Sequence, residues 1–437
     1  MQTKKGNALI WFRHDLRISD HEALFHATNR HQKVVAYYSF DPAHYANTKW
    51  GFKKTERFRA QFLIESVQQL QKDLAQLNIS LIIENRAPAE GLSYWTQELG
   101  TTDLYFQTEW TSEEEHCSQE VEKKLNPNIS IHQFYGQFLF HPKDLPFHFS
   151  STPEVFTVFR KKCEKYATID PCLPTPQAME KSNLLEQTFH CPSLADLGLT
   201  SFEKHPNTAF PFKGGSAAAQ ERLDHYFWKS KKLSFYKQTR NGLLGKDYSS
   251  KFSAWLANGS LSAKEIYWQI KKYEQEVAKN QSTYWLIFEL IWRDFFKYIS
   301  LKHGTKIFKL GGILNKNYEW QNSAHEFKVW AEGKTPEPFV NANMIELNKT
   351  GWMSNRGRQN VASYLAKNIE LDWRIGAAYF EAMLLDYDVH SNYGNWLYVS
   401  GVGNDPRDRK FNVSLQAERY DTNGKFQRLW NQNTLFE

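Results

Sequence analysis

Two hydrophobic periodicities divide the chain. Through residue 137, short apolar runs alternate with helical patterns, whereas helical patterns predominate after residue 210. The apolar runs predict strands, which lie at 8–12, 33–38, 80–83, 104–106 and 129–131. Helices are predicted between them, one that opens at Ser19 or Asp20 and others at 55–77, 89–99 and 112–125. Alternating strands and helices predict a parallel, doubly wound sheet.

The rest of the chain is predicted to be helical. Residues 138–210 have weak periodicity and are rich in proline, serine and threonine, which is typical of a linker, with one helix at 153–166. Helical patterns follow at 217–228, 263–273, 282–301, 324–332 and 341–349. We therefore expect an α/β amino-terminal domain of residues 1–137, a linker of residues 138–210 and an all-α carboxyl-terminal domain of residues 211–437.

The amino-acid composition indicates which kinds of ligand the protein can bind. Aromatic residues make up 15% of the 437 residues, and aromatic surface binds planar cofactors and unstacked bases. The net charge of +6 permits nucleic-acid binding without requiring it. The four cysteines, Cys117, Cys163, Cys172 and Cys191, form no CxxC pair, and no histidine cluster has zinc spacing. We therefore expect neither a disulfide framework nor a metal site.

The sequence shows no sign of secretion or membrane insertion. Residues 1–7 are polar, and the apolar run that follows is too short for a signal peptide. No apolar run approaches the ~20 residues of a membrane span. We therefore expect a soluble, cytoplasmic monomer with no membrane partner.

The predicted sheet places two polar loops at one edge. Residues 13–17 and 108–112 each follow a strand, and sheets of this kind bind ligands at the carboxyl ends of their strands. No GxGxxG follows any strand, so a dinucleotide in the usual Rossmann mode is not expected. This half of the chain is either a scaffold or the site of another small molecule.

Residues 350–403 combine indoles, guanidiniums and amides. At helical spacing Asn355 and Arg358 share a face, Asp372 can cap the next helix, and Asn392 and Trp396 share a face of a third. The buried face of the middle helix is predicted to hold Ile375, Tyr379, Phe380 and Met383. Each residue alone fits an ordinary core or cap. Because several buried polar side chains need partners, the group predicts a polar ligand site.

Two further stretches carry candidate chemistry. Residues 245–253, GKDYSSKFS, place paired hydroxyls and a lysine before a helix, which fits either a phosphate cradle or an ordinary helix cap. On the helix predicted at 282–301, Glu289 lies among apolar neighbours, with Trp292 and Arg293 three and four positions on. Glu289 is either half of a salt bridge on a buried helix or a functional carboxylate.

Five segments together resemble the photolyase/cryptochrome family, and within it the DASH cryptochromes. They are WFRHDLRISDHEAL, TRNGLLGKDYSSKFS, STYWLIFELIWRDFF, TGWMSNRGRQNVASYLA and LDYDVHSNYGNWLYVSGVGNDPR. They span nearly the whole chain in the family's order. The resemblance implies an α/β domain and a helical domain that holds FAD in a U-shaped conformation, beneath a cavity that receives a damaged base pair.

The resemblance assigns a flavin site to the helical domain. The residues that would hold the FAD phosphates are Tyr236, Ser249, Ser250, Lys251, Phe252 and Ser253. Those that would line the flavin are Arg293, Arg358, Asp386 and Asp388. Asn392 would face N5 of the flavin and tune its reduced and radical states. Trp396, Trp373 and Trp320 match the tryptophan chain along which family members re-reduce the flavin under light.

The resemblance also implies light-driven DNA repair. Excited, reduced FAD would pass an electron to a cyclobutane pyrimidine dimer and regain it after the ring splits, so protein groups need only bind, orient and stabilise charge. Glu289 would hydrogen-bond the lesion and Trp292 would stack on it. The other residues that would contact the lesion or the DNA are Arg240, Phe296, Asn355, Arg356, Gln359, Tyr398 and Gln416.

The resemblance further implies an antenna pigment in the amino-terminal domain, most often methenyltetrahydrofolate in this group. Glu109 is the candidate contact, and the alternative is an ordinary loop carboxylate.

Departures from the family pattern bear on the substrate. Gln359 stands where double-strand-repairing enzymes commonly carry methionine, and Tyr398 stands where they carry a second tryptophan. Flipping a dimer out of a duplex costs a few kcal/mol, and stacking contributes about 1–3 kcal/mol per base. A more polar pocket offsets less of that cost. We therefore expect a preference for dimers in single-stranded or looped DNA.

Four positions depart from the DASH pattern itself. Asn341 replaces a usual aspartate and Ile345 a usual arginine, and Ala254 and Ala263 replace usual prolines. The first pair is expected to remove an ion pair near the lesion helix.

The alternative function is a blue-light receptor that uses the same FAD and tryptophans to signal through an unknown partner. Signalling cryptochromes often carry long carboxyl-terminal extensions, and this chain ends at Glu437 soon after its last predicted helix, which favours repair. Repair of six-four photoproducts expects histidines over the flavin, and residues 355–359 contain none.

Overall fold

The structure, a computed structural model, describes residues 6–405 and 407–432. Within these residues the chain forms a five-stranded parallel sheet, with strands β1 Asn7–Trp11, β2 Lys33–Ser39, β3 Leu81–Glu84, β4 Thr101–Gln107 and β5 Ser130–Phe134 in the order β3-β2-β1-β4-β5. The outer ends of the predicted domains, 1–5 and 433–437, and Pro406 of the last family segment lie outside the described residues.

The middle of the sheet is buried on both faces. Leu9 of β1 lies opposite Val35 of β2 and Leu104 of β4, and all three side chains are buried. Parallel strands that are covered on both faces are apolar throughout, so the short apolar runs marked them correctly. The prediction of a doubly wound parallel sheet is confirmed.

The helices between the strands are α1 Glu22–Arg30, α2 Arg57–Gln76, α3 Pro88–Glu98 and α4 Ser112–Lys124. Helix α1 begins later than predicted because His21 caps it, accepting a hydrogen bond from Leu24 N–H at 3.0 Å. Asp20, one of the two predicted caps, has a positive φ of 47° and binds Lys264 instead, at 2.7 Å.

Helix α2 is buried on two sides. Val67 and Leu70 pack on the sheet, whereas Phe62 packs in the core of the helical half. Beside Phe62, the Oγ of Ser66 accepts a hydrogen bond from Asn258 at 2.8 Å. The helix therefore belongs to the interface that joins the two halves of the chain.

The first family segment is part of the same interface. Leu16 N–H donates to Asn258 O at 3.2 Å, and Arg17 Nη1 donates to Gly259 O at 2.9 Å. Gly259 has φ +74°, and a Cβ on it would lie 2.1 Å from His14 O, so only glycine fits. This segment fixes the position of the helical half against the carboxyl edge of the sheet.

Residues 138–210 form a packed connector. They contain helix α5 Phe156–Tyr166, which starts three residues after the predicted bound, and are otherwise mostly irregular. Met179 and Phe189 lie in the core around the sheet, whereas Phe159 and Phe210 lie in the helical core.

The carboxyl-terminal half is helical, as predicted. Its helices are α6 Ser216–Asp224, α7 Tyr236–Thr239, α8 Ser253–Asn258, α9 Ala263–Glu276, α10 Gln281–His303, α11 Ala324–Ala331, α12 Pro338–Thr350, α13 Asn355–Ser363, α14 Trp373–Met383, α15 Val389–Ser400, α16 Val413–Tyr420 and α17 Lys425–Asn431. Helices α6 and α13 continue into π-helical turns at His225–Lys229 and Tyr364–Asn368. In the described part of the chain, no helix is both long enough and apolar enough to cross a membrane.

Helix α10 crosses the middle of the helical half. Asn280 and Thr283 form a capping box at its start, and Gly304 ends it at a φ of 53°. Its side chains are buried on most of the circumference, including Leu290, Phe295 and Ile299. A buried helix of this kind can present polar side chains only toward a cavity or a partner.

Helix α14 differs from the prediction in its buried face. Asp372 caps it, as expected, by accepting from Arg374 N–H at 2.9 Å. Ile375, Tyr379 and Met383 are only half-buried, and the fully buried positions besides Phe380 include Gly376 and Ala377. The reason is close packing of a neighbouring indole, since a Cβ on Gly376 would lie 2.3 Å from the ring of Trp396.

Candidate functional site

A deep cleft opens in the helical half among α7, α8, α10 and α13, with about 1080 Å³ of empty space. A narrower arm of about 570 Å³ continues from it between α13 and α15. Both are lined by Asn355, Arg358, Asp386, Asp388 and Ser391. The two spaces therefore share a wall and form one continuous cavity.

Most of the predicted site residues meet in this cavity. Those that line the cleft are Tyr236, Arg240, Ser249, Ser250, Lys251, Phe252, Ser253, Glu289, Arg293, Asn355, Arg358, Asp386 and Asp388. Gln359, Asn392 and Trp396 line the arm. Four segments that are far apart in sequence thus contribute to one site.

A buried arginine that the sequence analysis missed holds the loop before α8. Arg222 of α6 is 2% exposed. Its Nε donates to Ser250 O at 3.0 Å, and its Nη2 donates to Ser249 O at 2.9 Å and to Lys246 O at 3.1 Å. Its Nη1 pairs with Asp247 at 2.6 Å. One guanidinium therefore fixes the backbone that presents the loop hydroxyls to the cleft.

Lys251 and Glu346 are buried in or behind the wall of the cleft, and neither has a hydrogen-bond partner among the residues that the structure describes. Lys251 Nζ lies 3.3 Å from the ring centre of Tyr248 and 4.5 Å from that of Trp352, and it donates no hydrogen bond. Neither carboxylate oxygen of Glu346 on α12 has a partner. Burial lowers the pKa of Lys251 well below its ordinary value and raises the pKa of Glu346 to about 8. Such groups favour a polar ligand.

An ion pair forms the floor that the cleft shares with its arm. Arg358 Nη2 donates to both oxygens of Asp386, at 2.9 and 3.0 Å, and its Nε donates to Met353 O at 3.0 Å. Ser253 Oγ donates to Asp386 at 2.7 Å. Helices α8 and α13 and the loop after α14 are thereby joined at one carboxylate.

A second buried ion pair lies below Asp388, the cap of α15. Asp388 accepts from Ser391 N–H at 2.8 Å and from Lys297 Nζ at 3.1 Å. Burial lowers the pKa of Lys297 to about 8, and Asp388 only partly opposes this. Burial alone would raise the pKa of Asp388, but Lys297 and its neighbouring cations outweigh it and hold that pKa well below the ordinary value. Asp388 therefore stays ionised at the junction of the cleft and the arm.

Glu289 pairs across the cleft, and not along its own helix. Its carboxylate lies 3.0 Å from Arg240 Nη1, and its side chain is 28% exposed. Burial raises the pKa of Glu289, and Arg240 opposes the rise. Arg293, the partner in the salt-bridge alternative, donates instead to Gln137 O and Leu256 O. The carboxylate is thus available at the mouth of the cavity.

The arm ends at an amide and an indole. Asn392 Nδ2 donates to Ala377 O at 3.0 Å, which fixes the amide plane. Trp396 is buried against α14, and Gln359 Oε1 accepts from Arg356 Nη1 at 2.9 Å.

Several predicted contacts lie beside the cavity, outside its lining. Trp292 stacks on Phe156, with ring centres 3.6 Å apart, and lies 6.0 Å from Tyr398 and 5.5 Å from Phe296. These rings form an aromatic cluster next to Glu289. Arg356 and Gln416 also lie outside the lining; Arg356 stacks on Tyr420, and Gln416 is half-buried on α16.

The three predicted electron-transfer tryptophans follow helix α14. Trp396 packs against Gly376, one turn after Trp373 at the start of that helix. A bridge between Gln321 and Leu371 lays the segment of Trp320 beside the same start. Trp373 is fully buried and Trp320 is half-buried, so the order runs from the arm toward the surface.

Glu109 lies at the carboxyl edge of the sheet, outside the cavity lining, where the loops 13–17 and 108–112 meet as predicted. Both of its oxygens lie 2.9 Å from His14 Nδ1, and Gln107 donates to it at 3.2 Å. Burial alone would raise the pKa of Glu109, but His14 outweighs it and lowers that pKa. Burial likewise opposes the charge on His14, but Glu109 raises the pKa of His14. The two residues form a charged pair in which both oxygens of Glu109 have a hydrogen-bond partner.

The four departures from the DASH pattern lie outside the cavity lining. Asn341 Oδ1 accepts from Thr335 N–H and Oγ1, and its Nδ2 donates to Thr335 O. Ile345 packs against Gly333, so both residues face α11 and not the cleft. Ala254 and Ala263 lie in the first turns of α8 and α9, where proline is also tolerated.

Sequence reasoning missed residues that support the cavity. They are Arg222, Tyr248, Lys297 and Glu346, whereas Trp352 is one of the indoles that the sequence analysis places in residues 350–403. A signal existed for Lys297, since Glu289, Arg293 and Lys297 are spaced four apart and share a face of α10. None existed for Arg222 or Glu346, because the sequence of α6 and α12 does not show which of their residues lie near the cleft.

The donor set of the cavity fits the expected FAD. Loop hydroxyls and the unpartnered ammonium of Lys251 suit a diphosphate. The rings of Trp352 and Trp396 and the amide of Asn392 suit a planar heterocycle that carries hydrogen-bonding groups.

Comparison with known proteins agrees with this geometry. Residues 8–179 match the DNA photolyase family, and residues 285–433 match the FAD binding domain of DNA photolyase. The chain is 46% identical to the cryptochrome DASH of Gloeobacter violaceus over 432 residues, which cover 98% of this chain and 86% of that protein.

Solved structures share the fold. The Synechocystis cryptochrome superimposes with a TM-score of 0.94 at 43% identity, over 98% of this chain and 89% of that one. A bacterial class III photolyase from Agrobacterium tumefaciens superimposes with a TM-score of 0.83 at 25% identity, over 98% of this chain and 87% of that one. The chain therefore belongs to the photolyase/cryptochrome family and, within it, to the DASH cryptochromes.

Proposed function

We propose that this protein is a light-driven photolyase that splits cyclobutane pyrimidine dimers, preferentially in single-stranded or looped DNA. The observation that supports this most directly is the continuity of one cavity. It joins a lining that fits FAD to Glu289, a carboxylate with a raised pKa at the cavity mouth. A protonated or hydrogen-bonded carboxyl group can contact a pyrimidine carbonyl without a nucleophile or a base.

We propose the following roles on the cofactor side. The residues that hold the phosphates are Tyr236, Ser249, Ser250, Lys251, Phe252 and Ser253, and those that line the isoalloxazine are Arg293, Arg358, Asp386, Asp388 and Asn392. Bound FAD supplies the light-excited electron. The ion pair of Arg358 with Asp386 gives the ring fixed charges on a floor that needs no rearrangement during the reaction.

We propose that Glu289 and Arg240 orient the dimer at the mouth of the cleft. Asn355, which is exposed at the start of α13 and lines both parts of the cavity, contacts the lesion from the other side. Gln359, Arg356 and Gln416 lie toward the strand that carries the dimer. The aromatic cluster of Trp292, Tyr398 and Phe296 supplies the edge on which the dimer packs.

The proposed strand preference follows from the cost of base flipping. Extruding a dimer from a duplex costs a few kcal/mol, which stacking at about 1–3 kcal/mol per base must offset. One face of Trp292 already stacks on Phe156, and Tyr398 meets Trp292 edge-on. Less free aromatic surface is left for the dimer. A lesion that is already unpaired avoids the cost.

We propose further that residues 1–137 hold a methenyltetrahydrofolate antenna, that residues 138–210 connect the domains and that residues 211–437 bind flavin and DNA. Glu109 is the proposed antenna contact, reached through the half-exposed side chain of His14. The protein acts as a cytoplasmic monomer in this proposal.

A blue-light receptor is the second candidate. The observation that favours it is the tryptophan path, which leads from Trp396 along α14 to the half-buried Trp320 and which light-driven repair does not itself need. The relatives also carry the name cryptochrome.

The experiment that tests the proposal is illumination of the reduced, purified protein with an oligothymidine that contains one dimer, supplied as a single strand and as a duplex. Recovery of thymine absorbance reports repair. We expect light-dependent repair of the single strand that falls at least tenfold in Glu289→Gln. Glu274→Gln is the matched control, because Glu274 pairs with Lys271 on α9, outside the cleft lining.

The possible results of this repair experiment test different parts of the proposal. Equal repair of single strand and duplex refutes the strand preference. Absence of repair in a protein that binds FAD and photoreduces it refutes the photolyase proposal and favours the receptor. A Glu289→Gln variant that repairs as well as Glu274→Gln refutes the role of Glu289.

A further inference from the structure

A separate cavity lies between the two halves of the chain. We name it the connector cavity, because residues 170–173 of the connector form one of its walls. The other walls come from the start of α1, from the segment after β5 and from the start of α9. Among the described residues, none lines both this cavity and the cleft or its arm. About 340 Å³ of the space can hold the centre of a water molecule, which is within the about 300–1,000 Å³ of small-molecule sites.

The walls of the connector cavity are held in place by hydrogen bonds around Asp20. Its backbone N–H donates to Leu173 O at 3.0 Å, and its carboxylate accepts from Leu173 N–H at 3.1 Å. Lys264 Nζ lies 2.7 Å from the same carboxylate. Arg17 Nη2 donates to Asp20 O at 2.8 Å and to Gly136 O at 3.1 Å. The space is therefore preformed, so a ligand does not have to order its walls.

Much of the lining is apolar or aromatic. These residues are Tyr135, Phe138, Leu139, Pro171 and Leu173. The ring centres of Tyr135 and Phe138 lie 6.1 Å apart, with their planes tilted by 55°. A buried water needs several polar partners, which these side chains do not supply. They favour an organic group, because its binding removes apolar surface from water.

Most charges in the lining are already paired. Lys264 pairs with Asp20 at 2.7 Å, and Lys143 pairs with Asp170 at 3.0 Å. Burial lowers the pKa of His141, so its ring is neutral near pH 7. The positive charges of the cavity are therefore balanced by acids of the protein itself.

Glu22 of α1 is the charged lining residue that is left. In the described part of the chain its carboxylate has no ion pair and no hydrogen bond. An acid in the first turn of a helix is ordinarily explained by the helix dipole. Glu22 differs from such acids because it lines a cavity together with the rings of Tyr135 and Phe138. A carboxylate and aromatic rings together suit an organic ammonium ion, which charge and cation–π attraction both stabilise.

We propose that the connector cavity binds a small organic cation, an amine attached to an aromatic or branched apolar group. Glu22 pairs with the ammonium group, and the rings of Tyr135 and Phe138 contact the apolar group. The bound cation contacts both halves of the chain and stabilises them against each other. The site is independent of the proposed function, because no residue assigned to flavin, DNA or antenna lines it.

The first test compares two probes of similar shape and opposite charge, 2-phenylethylammonium and 3-phenylpropionate. Isothermal titration calorimetry is recorded at pH 7 with the flavin-loaded wild type, Glu22→Gln and Tyr135→Leu. We expect the ammonium probe to bind the wild type with a Kd of about 1 mM or below. The carboxylate probe should bind about tenfold more weakly, and Glu22→Gln should weaken the ammonium probe by about the same factor. Tyr135→Leu keeps an apolar wall and should weaken it about threefold.

The matched control is Glu90→Gln, because Glu90 is also an acid in the first turn of a helix but is exposed on α3, outside the cavity. Glu289→Gln is the second control, since Glu289 is the carboxylate at the mouth of the cleft. Both controls should bind the ammonium probe as the wild type does. Equal binding of the two probes, or equal affinity of Glu22→Gln and Glu90→Gln, refutes the proposal. A wild type that binds neither probe also refutes it.

The second test locates the bound probe. Cys172 lines the connector cavity, whereas Cys191 is likewise half-buried but lies outside it. Burial raises the pKa of both thiols to about 12, so they are matched in acidity. We expect 2-phenylethylammonium at ten times its Kd to slow the reaction of Cys172 with N-ethylmaleimide by about fivefold or more and to leave Cys191 unchanged, as measured by peptide mass spectrometry. Equal rates with and without the probe at Cys172, or equal slowing of both thiols, refutes this location.

Discussion

Two buried glutamates, one in each half of the chain, differ in their partners. Glu109, at the edge of the sheet, has both oxygens 2.9 Å from His14 and a further hydrogen bond from Gln107. Within the described part of the chain, neither oxygen of Glu346, behind the cleft, has a hydrogen-bond partner. Both side chains are buried, so exposure does not explain the difference.

This difference shows which buried carboxylate has its hydrogen bonds and counter-charge supplied by the protein itself. A buried ionised carboxylate requires a cation and hydrogen bonds, and Glu109 has both. Around Glu346, the nearby Lys251 is also without a hydrogen bond, and the neighbouring Asn343 and Asn360 have unpartnered oxygens. Lys251 lines the cleft, and an unpartnered buried ammonium there indicates a polar ligand or bound water.

The largest expected effect comes from removing the cavity floor. Asp386→Ala leaves Arg358 unpaired and takes an acceptor from Ser253. Losing one partner of a buried ion pair costs about 3–5 kcal/mol. We expect the purified variant to have lost most of its flavin, as measured by the ratio of absorbance at 450 to 280 nm (roughly tenfold lower or more, since 1.4 kcal/mol is a factor of ten).

The control for that variant is Asp372→Asn, which weakens the half-exposed pair with Arg374 but keeps the helix cap. A pair of this kind is worth about 0–1 kcal/mol, so flavin content is expected to stay at the wild-type level. Equal loss in both variants would mean that the cavity floor is no more important than a surface pair.

The second largest effect on FAD binding is expected from the loop of residues 246–250, whose backbone Arg222 holds in place. Arg222→Met removes four hydrogen bonds from the backbone and side chain of residues 246–250. Hydrogen bonds from charged groups contribute about 1.5–3 kcal/mol each where they are buried, and the contributions are not additive. We expect weaker FAD binding in titrations of the flavin-free protein, with far-ultraviolet circular dichroism unchanged.

Arg222→Lys separates positioning from charge. Lysine keeps the positive charge but cannot span several carbonyl groups with one planar fork. We expect its FAD affinity to lie close to that of Arg222→Met. Full recovery of affinity in Arg222→Lys would show that only the charge matters at this position.

The two glutamates should respond to pH with opposite signs. The pKa of Glu346 is raised to about 8, so the folded state binds a proton that the unfolded state lacks between about pH 4.5 and 8. Stability of the wild type falls as pH rises through that window, by up to about 1.4 kcal/mol per pH unit. Glu346→Gln is therefore expected to gain stability relative to the wild type as pH rises.

Glu109→Gln should instead be less stable than the wild type. The pKa of Glu109 is lowered, so its stabilisation is present above about pH 4.5 and is lost as pH falls. The pKa of His14 is raised, so the pair also weakens as pH rises above that raised value. We expect a loss of about 1.5–3 kcal/mol near pH 6. Urea unfolding at about pH 3.5, 6 and 8 checks both signs. Between about pH 6 and 3.5 the deficit of Glu109→Gln should shrink, whereas between about pH 6 and 8 Glu346→Gln should gain on the wild type. A deficit of Glu109→Gln that stays constant down to about pH 3.5 would contradict the comparison.

Much of the fold could be predicted because strands that are buried on both faces of a sheet require a continuous run of apolar residues. The strand at Leu9 and the helix at Val67 and Leu70 were found in this way. The cap at Asp372 was found from the preference of aspartate for that position. Where the prediction failed, at the buried face of α14, close packing of Trp396 on Gly376 overrode the apolar pattern.

The site could be predicted only in part. Residues clustered in sequence, such as Ser249 to Ser253, carried a local signal. Glu346 did not, because its meaning depends on which atoms lie near it in space and on the hydrogen bonds it does not make. The pairing of Glu289 with Arg240 could not be predicted either, since the two residues are 49 positions apart and the sequence offered only Arg293 as a partner on the same helix.

The smallest expected effect concerns Asn341, where the chain departs from the DASH pattern. Helix α12 has two faces: Glu346 and Asn343 point toward α13 and the cleft, whereas Asn341 holds Thr335 at the turn after α11. Asn341→Asp loses the hydrogen bond to Thr335 O, worth about 1 kcal/mol, and gains about 0.3–1 kcal/mol from a negative charge near the helix start. We expect the free energy of unfolding to change by less than about 1 kcal/mol and dimer repair to change by less than twofold. A tenfold change in repair would show that the two faces of α12 are coupled, and it would place the departure in the site after all.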